Sequence, residues 1–290
     1  MDILHLLRPH QWIKNTFVFA ALIFSQHLLE GRYVLKVIVA FALFCMVSGG
    51  MYIINDIFDL QQDRVHPVKK NRPLASGRIS ISLAWFLSLL LLGISLSLSF
   101  ALQPNFGFVL VIYVLINLAY SLYLKQVVIV DVMTLSFGFI LRAIAGGVVI
   151  HVPVSSWLIV CTALISLFLG FGKRRHELII LNESASSHRS ILKEYSPYFL
   201  DQMMSVVTAS TVIAYISYTM SKEVQEKLHA QYLEFTIPFV LYGVFRYLYL
   251  VHQKKGGGNP TQELLTDGPI IINGILWILT VTFILYNGKW

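Results

Sequence analysis

The chain has 290 residues, 56% hydrophobic and 13% charged, with a mean hydropathy of +0.69 and a formal net charge of +7. A soluble domain carries roughly 25% charged residues, so this composition excludes an ordinary soluble domain and directs attention to how the apolar residues are grouped. Cys45 and Cys161 both fall within apolar stretches; they read as packing residues and say little about redox compartment.

A bilayer core about 30 Å thick needs roughly 20 apolar residues per helical span. Nine segments qualify in chain order: 12–29, 33–54, 80–101, 105–124, 128–150, 154–172, 201–220, 234–252 and 269–287. The fold class expected is all-α, nine transmembrane helices forming one membrane domain over 1–290. The third segment, Ile81 to Leu102, contains no charge, whereas the first has Lys14 and Asn15 in its opening turn. No small-residue cleavage site follows a short apolar stretch, so the first segment is expected to stay in the mature protein. Short connections at Gln103-Pro104-Asn105 and His151-Val152-Pro153 alternate with two long polar ones, 55–79 and 173–200, and a third at 254–262.

The distribution of charge gives the orientation. With the N-terminus in the cytoplasm, 16 of the 22 Lys and Arg fall on the inside, five on the outside, and Arg142 lies within a helix. That asymmetry follows the positive-inside rule, for a multi-pass protein of the cytoplasmic (inner) membrane. It leaves little basic charge for nucleic acid, and the basic loops lack the interleaved aromatics on which bases stack. Chemistry is therefore expected on the cytoplasmic face, between the two long loops.

The densest chemical signal is Asn55-Asp56-Ile57-Phe58-Asp59-Leu60-Gln61-Gln62-Asp63. Asn55, Asp59 and Asp63 are four apart, so a helix continuing from the second span stacks them on one face, with Asp56 leaning toward the same stripe. A lone aspartate there would be a solvated helix end. Three carboxylates and an amide in under three turns repel one another and invite a cation. Their hard oxygens suit magnesium, which binds through one or two carboxylates plus substrate phosphates. Arg64, Lys69, Lys70, Arg72 and Arg78 follow within 15 residues of Asp63. Part of that charge is topological and part suits a transferring pyrophosphate, with Lys69 to Arg72 the favoured stretch.

Two further features bear on the site. Asp131 and Arg142 are 11 residues apart, close to three helical turns, and should share a face of the fifth span. An arginine that deep is costly unless it faces a polar cavity or pairs with Asp131. The second long loop reads Gly172-Lys173-Arg174-Arg175-His176-Glu177, then Asn182, Glu183, Arg189, Lys193, Glu194 and Tyr195, with no aspartate before Asp201. A basic loop of this kind suits a phosphate monoester held directly rather than a second metal. Tyr113, Tyr120 and Tyr123 sit near a cytoplasmic helix end, where an aromatic belt is the default expectation. His5, His10, His27 and His252 have no metal-ligand spacing, and Asp267 reads equally as a site residue or a helix N-cap.

The NDxxDxxxD pattern after the second of nine spans resembles the UbiA superfamily of intramembrane prenyltransferases. The opening Arg8-Pro9-His10-Gln11-Trp12-Ile13-Lys14-Asn15 is similar to that of a narrower branch, the decaprenyl-phosphate phosphoribosyltransferases. Further matches are Tyr120-Ser121 with Lys125, Gly138 to Gly146, and Gly172-Lys173-Arg174 with Glu177, so the resemblance runs from residue 8 to about 270.

The resemblance implies nine helices around a central cavity open to the cytoplasm and to lipid. It implies a magnesium-dependent transferase serving the cell envelope, in which polyprenyl phosphate attacks ribose C1 of phosphoribosyl pyrophosphate and pyrophosphate leaves. It places metal at Asn55 and Asp59, with Asp56 and Asp63 as helpers, so that Asp56, Asp59 and Asp63 form the catalytic set. It assigns donor phosphates to Lys14, Lys69, Arg72, Lys125 and Arg142, while the basic second loop puts the lipid phosphate at Lys173 and Arg174. Association into a homo-oligomer is left open. The alternative is a UbiA-type prenyl transfer from a prenyl pyrophosphate to an aromatic or other acceptor, which would want a second aspartate motif in the loop after the sixth span. A non-enzymatic lipid carrier is the third reading; a transporter should show inverted repeats and Gly/Pro-broken helices in its two halves, and the sequence has neither.

Overall fold

A computed structural model of the chain describes residues 2–181, 190–254 and 260–287. The described residues are helical or looped: α1 (Asp2–Leu7), a 3-10 helix (Pro9–Phe19), α2 (Ala20–Phe24), α3 (Gly31–Phe58), α4 (Leu60–Val65), α5 (Ile81–Leu102), α6 (Pro104–Leu122), α7 (Val130–Val149), α8 (Ser156–Leu181), α9 (Pro197–Met220), α10 (Lys222–Leu228), α11 (Ile237–Gln253), α12 (Pro260–Thr266) and α13 (Gly268–Asn287). Asn182, Glu183 and Arg189 of the expected second loop, and Lys255 and Lys289 of the charge pattern, lie outside the described residues.

Among the described residues, eight helices are long and apolar enough to cross a membrane: Gly31–Phe58, Ile81–Leu102, Pro104–Leu122, Val130–Val149, Ser156–Ile179, Pro197–Met220, Leu233–Gln253 and Gly268–Tyr286. The protein is thus a multi-pass membrane protein, and these eight match the last eight expected spans. The first expected span, 12–29, is not such a helix. It is built from an 11-residue 3-10 helix and the 5-residue α2. A 3-10 helix rises about 2.0 Å per residue and an α-helix about 1.5 Å, so the 16 residues reach about 30 Å, the thickness of a hydrocarbon core.

Helix ends are set by local chemistry. Ser80 accepts a hydrogen bond from the Leu83 N–H at the start of α5, and Ser196 accepts one from the Phe199 N–H at the start of α9. Pro104 and Pro197 each open a helix at a position where no N–H is needed. Lengths then position the site. At about 1.5 Å per residue, the 28 residues of α3 run about 42 Å and the 26 of α8 about 39 Å. Both overrun a bilayer core of about 30 Å, and the overrun of α3 carries Asn55 and Asp56 while that of α8 carries Lys173, Arg174 and Glu177.

α7 is the hub. Its Leu141, Ala145 and Val149 pack into a core shared with the 3-10 helix, α2, α3 and α6, while its Val132 packs into a second core built from α8, α9, α11 and the Ile191–Tyr195 stretch. The approach of the 3-10 helix to α7 depends on Gly146, where a Cβ would sit 1.9 Å from the Val18 carbonyl oxygen. Because that neighbour is backbone, the Pro9–Phe19 segment would have to move. Gly146→Ala should therefore cost about 2 kcal/mol of stability, as overpacking does, and lower the melting temperature in detergent; an unchanged melting temperature would show that the contact is slack.

Candidate active site

A cavity of about 1190 Å³ lies between the 3-10 helix, α3, α6, α7 and α8, with α4, the 66–78 loop and α12 completing its wall. Among the described residues that line it, eight are Lys or Arg and three are Asp or Glu. A cavity so lined favours a polyanion, since preorganised cations act strongly where water is excluded.

The acidic motif forms one side. α3 ends at Asp59, and the Asp63 N–H donates to the Asp59 carbonyl at 2.8 Å, so α4 continues the direction of α3 across a one-residue break. The expected stacking of Asn55, Asp59 and Asp63 is therefore retained, and all three line the cavity. Asn55 Nδ2 donates to Asp59 Oδ2 at 2.9 Å, and Ser121 Oγ donates to Asn55 Oδ1 at 3.1 Å. Lys125 Nζ pairs with the other Asp59 oxygen.

Asp56 is placed differently. It is only 3% exposed, does not line the cavity, and accepts from both Arg8 Nη2 and Arg72 Nη1, the latter at 2.9 Å. Arg72 Nη1 also donates to Asp63 Oδ2, bridging the two carboxylates. Burial pushes the Asp63 carboxyl up from the usual carboxylate range, while Arg72 and Lys69 pull it back.

The deeper wall is organised by Arg142, which is 4% exposed. Its Nε donates to Asn15 Oδ1 at 2.8 Å, Nη1 to the Gly138 carbonyl at 2.7 Å, and Nη2 to the Tyr113 hydroxyl at 2.8 Å. Asn15, from the 3-10 helix, is held by donating to Ser48 Oγ at 3.0 Å and Cys45 Sγ at 3.2 Å on α3. Gly138 makes room for this fold-back, since a Cβ there would come within 3.3 Å of Arg142 Nη1. The arginine also lies over the Phe44, Tyr113 and Phe139 rings, 4.9–5.3 Å from their centroids.

Several sequence expectations change here. Asp131 does not partner Arg142: it accepts from Arg174 Nε at 2.6 Å and from the Tyr195 hydroxyl at 2.8 Å. Arg174 is fully buried, donates also to Glu177 Oε2 at 2.6 Å and to the Tyr120 hydroxyl at 3.2 Å, and does not line the cavity. Of the expected lipid-phosphate pair, Lys173 alone reaches the cavity wall, where Lys14, Lys69, Arg72, Lys125 and Arg142 also lie. Tyr113, expected in an aromatic belt, is 2% exposed and bonded to Arg142; Tyr123 is exposed. Asp267 caps α13, accepting from the Ile270 N–H at 3.0 Å, and pairs with Arg246 at 2.9 Å.

The sequence reading assigned no role in the site to Arg8, Asn15, Ser121 or Tyr113. Arg8 and Asn15 are inside the RPHQWIKN stretch, so the signal was present without a partner to interpret it.

Oxygen donors suited to magnesium are present at the cavity wall in Asn55, Asp59 and Asp63. Among the described residues no three Asp, Glu, His or Cys side chains converge as a self-sufficient metal cage. That partial set fits magnesium, which is ordinarily completed by waters and substrate phosphates.

The UbiA prenyltransferase family model matches residues 16–174, which contain the acidic motif, Lys125, Arg142 and Arg174. The chain belongs to the UbiA family. This UbiA protein is 34% identical over 293 residues to the decaprenyl-phosphate phosphoribosyltransferase of Mycolicibacterium smegmatis, an alignment covering 97% of this chain and 91% of that protein. It is 28% identical to the protein of the same name from Corynebacterium glutamicum, covering 97% and 85%. Its fold is shared by a UbiA homologue from Archaeoglobus fulgidus bound to GPP and Mg2+, with a TM-score of 0.71 at 20% identity over 99% of this chain and 100% of that one. It is accordingly a membrane-embedded UbiA-type transferase.

Proposed function

We propose that this protein transfers the 5-phosphoribosyl group of phosphoribosyl pyrophosphate onto a polyprenyl phosphate of decaprenyl type, with magnesium, releasing pyrophosphate. The observation that carries the reading is the asymmetry between the two long loops. The first supplies Asn55, Asp59 and Asp63 to the cavity, whereas the second supplies Lys173, His176 and Glu177 and no aspartate. Asp201, the first aspartate beyond that loop, is paired with Arg175 and does not line the cavity. The full-length likeness to phosphoribosyltransferases supports the same choice.

In this reading Asn55, Asp59 and Asp63 hold the magnesium of the donor, and that ion supplies charge neutralisation at the pyrophosphate when bound. Lys125 and Arg72 lie beside those carboxylates and take the leaving pyrophosphate oxygens as negative charge builds on them. A lipid phosphate oxygen attacks ribose C1, the new C1–O bond forms, and the bond from C1 to the pyrophosphate oxygen breaks with its electron pair. A phosphate monoester is already anionic near pH 7, so no general base is needed. The protein's work is positioning and charge compensation. The acidic side faces the cytoplasm, with the N-terminus inside, in keeping with the basic loops that flank it.

The test gives the purified full-length protein one of two substrate pairs. Phosphoribosyl pyrophosphate with polyprenyl phosphate should yield a phosphoribosylated lipid, and prenyl pyrophosphate with 4-hydroxybenzoate should yield nothing. Product from the second pair alone overturns the proposal in favour of prenyl transfer.

A further inference from the structure

Between the acidic wall and the Arg142 wall, the cavity is lined by neutral polar groups that the transfer step does not use. Along α6, Ser121, Asn117 and Tyr113 follow at steps of four, share a face, and all line the cavity. Ser121 is bonded to Asn55 of the acidic stripe, and the Tyr113 hydroxyl accepts from Arg142. Asn117 therefore stands between the two walls, about 6 Å along the helix from each anchor. From α3, Tyr52 joins it. Three residues before Asn55, it lies about 4.5 Å deeper on the same helix face. It also lines the cavity, and Tyr113, Arg142 and Arg8 are within electrostatic reach of its hydroxyl.

Both side chains keep hydrogen-bonding capacity in hand. Asn117 Nδ2 donates to the Tyr113 carbonyl at 2.8 Å. A carbonyl can only accept, so that bond fixes the orientation of the amide. Oδ1 and the second N–H are uncommitted to any described residue. The Tyr52 hydroxyl likewise has no hydrogen-bond partner among the described residues, while its ring lies 5.5 Å beneath the Arg8 guanidinium. Each residue thus offers one donor and an acceptor, and neither carries a charge that would draw a phosphate or a metal. Two neighbouring hydroxyls on a sugar offer the same pairing of donor and acceptor. A prenyl chain offers none, and would leave both polar groups facing hydrocarbon at a cost.

We infer that Tyr52 and Asn117 bind the vicinal hydroxyls of the donor's pentose and so determine the choice of a sugar donor over a prenyl donor. The identity of the ligand rests on the phosphoribosyl-transfer reading, in which the donor carries phosphates at both ends of its ring. With the pyrophosphate at the acidic wall and the other phosphate toward Arg142, the ring falls at the level of these two residues. A site built to hydrogen-bond a substrate hydroxyl rejects an analogue lacking it far more strongly than an apolar pocket rejects an added one. The preference for a sugar is then set by two neutral side chains, apart from the ions that hold the phosphates.

The experiment compares the full-length protein with Tyr52→Phe and, as a second variant, Asn117→Leu, by equilibrium titration in detergent without lipid acceptor. Three probes are used, each with magnesium: phosphoribosyl pyrophosphate, inorganic pyrophosphate and geranyl pyrophosphate. Tyr52→Phe should fold normally, because it keeps the ring under Arg8 and the hydroxyl has no protein partner to lose. Asn117→Leu gives up only a bond from a side chain to the carbonyl one turn back in its own helix. Loss of one hydrogen bond to the sugar should weaken phosphoribosyl pyrophosphate about tenfold and leave the other two probes unchanged. That selective loss, in either variant, supports the inference. Equal weakening of all three probes marks a structural role and overturns it, as does unchanged binding of phosphoribosyl pyrophosphate in both variants. The unsubstituted protein tests the underlying reading separately. If it binds geranyl pyrophosphate but shows no preference for phosphoribosyl over inorganic pyrophosphate, the phosphoribosyl reading fails and the inference falls with it. If it shows that preference and both variants retain it, the inference fails alone.

Discussion

Asp59→Asn should reduce turnover by about a hundredfold to a thousandfold, the usual loss when one preorganised electrostatic group is removed, with the protein still monodisperse in detergent. The substitution keeps the shape of the side chain and one oxygen for the Asn55 Nδ2 donor. What it removes is the negative charge that faces both Lys125 and the cavity. Two signatures separate loss of a metal ligand from loss of the Lys125 partner. The magnesium concentration giving half-maximal activity should rise, and donor binding without magnesium should change little. Normal turnover at ordinary magnesium would remove Asp59 from the metal site, and with it the assignment of this wall to the pyrophosphate.

Much of this site was legible in the sequence, and the part that was not has a definite physical cause. The last eight spans are readable because transfer of apolar residues into a bilayer is a local property. The Asn55–Asp59–Asp63 stripe is readable because it depends only on helical periodicity. The first expected span, 12–29, differs because its backbone is largely 3-10, a distinction that hydropathy does not register. Its Lys14 and Asn15, which weaken it as a hydropathy signal, are the residues that serve the cavity and Arg142.

Pairings across the fold are another matter. Asp56 finds Arg8, 48 positions earlier, and Arg174 finds Asp131, 43 positions earlier. Sequence gives the depth of a residue along a helix but not the neighbour its helix will have. The Asp131–Arg142 expectation used spacing along a single helix and missed that α8 brings a second arginine to the same aspartate. Tyr113 went to the aromatic belt for the same reason: its depth is right, but its face turns inward toward Arg142. The shortage of aspartates in the second loop, by contrast, needed no tertiary information and carried the choice of substrate from the start.

Asp131→Asn should destabilise the protein by about 3 kcal/mol, at the low end for breaking a buried pair because Glu177 still faces Arg174. Both partners are fully buried, with side chains no more than 1% exposed. The same aspartate accepts from the Tyr195 hydroxyl, which in turn accepts from the Ile129 N–H at 2.7 Å. Burial pushes the Tyr195 hydroxyl up, keeping it protonated as a donor. Loss of the carboxylate therefore loosens the second loop from α7 as well as stranding a guanidinium. Replacing both partners by apolar residues, Asp131→Leu with Arg174→Met, should recover part of the loss, since the charge left stranded by the single change is gone. The same variants decide what Arg174 does. As a strut, Arg174→Met lowers the melting temperature and leaves the KM for lipid near its starting value. As a lipid-phosphate ligand, it raises that KM with the fold intact, and Asp131→Asn would then cost little stability.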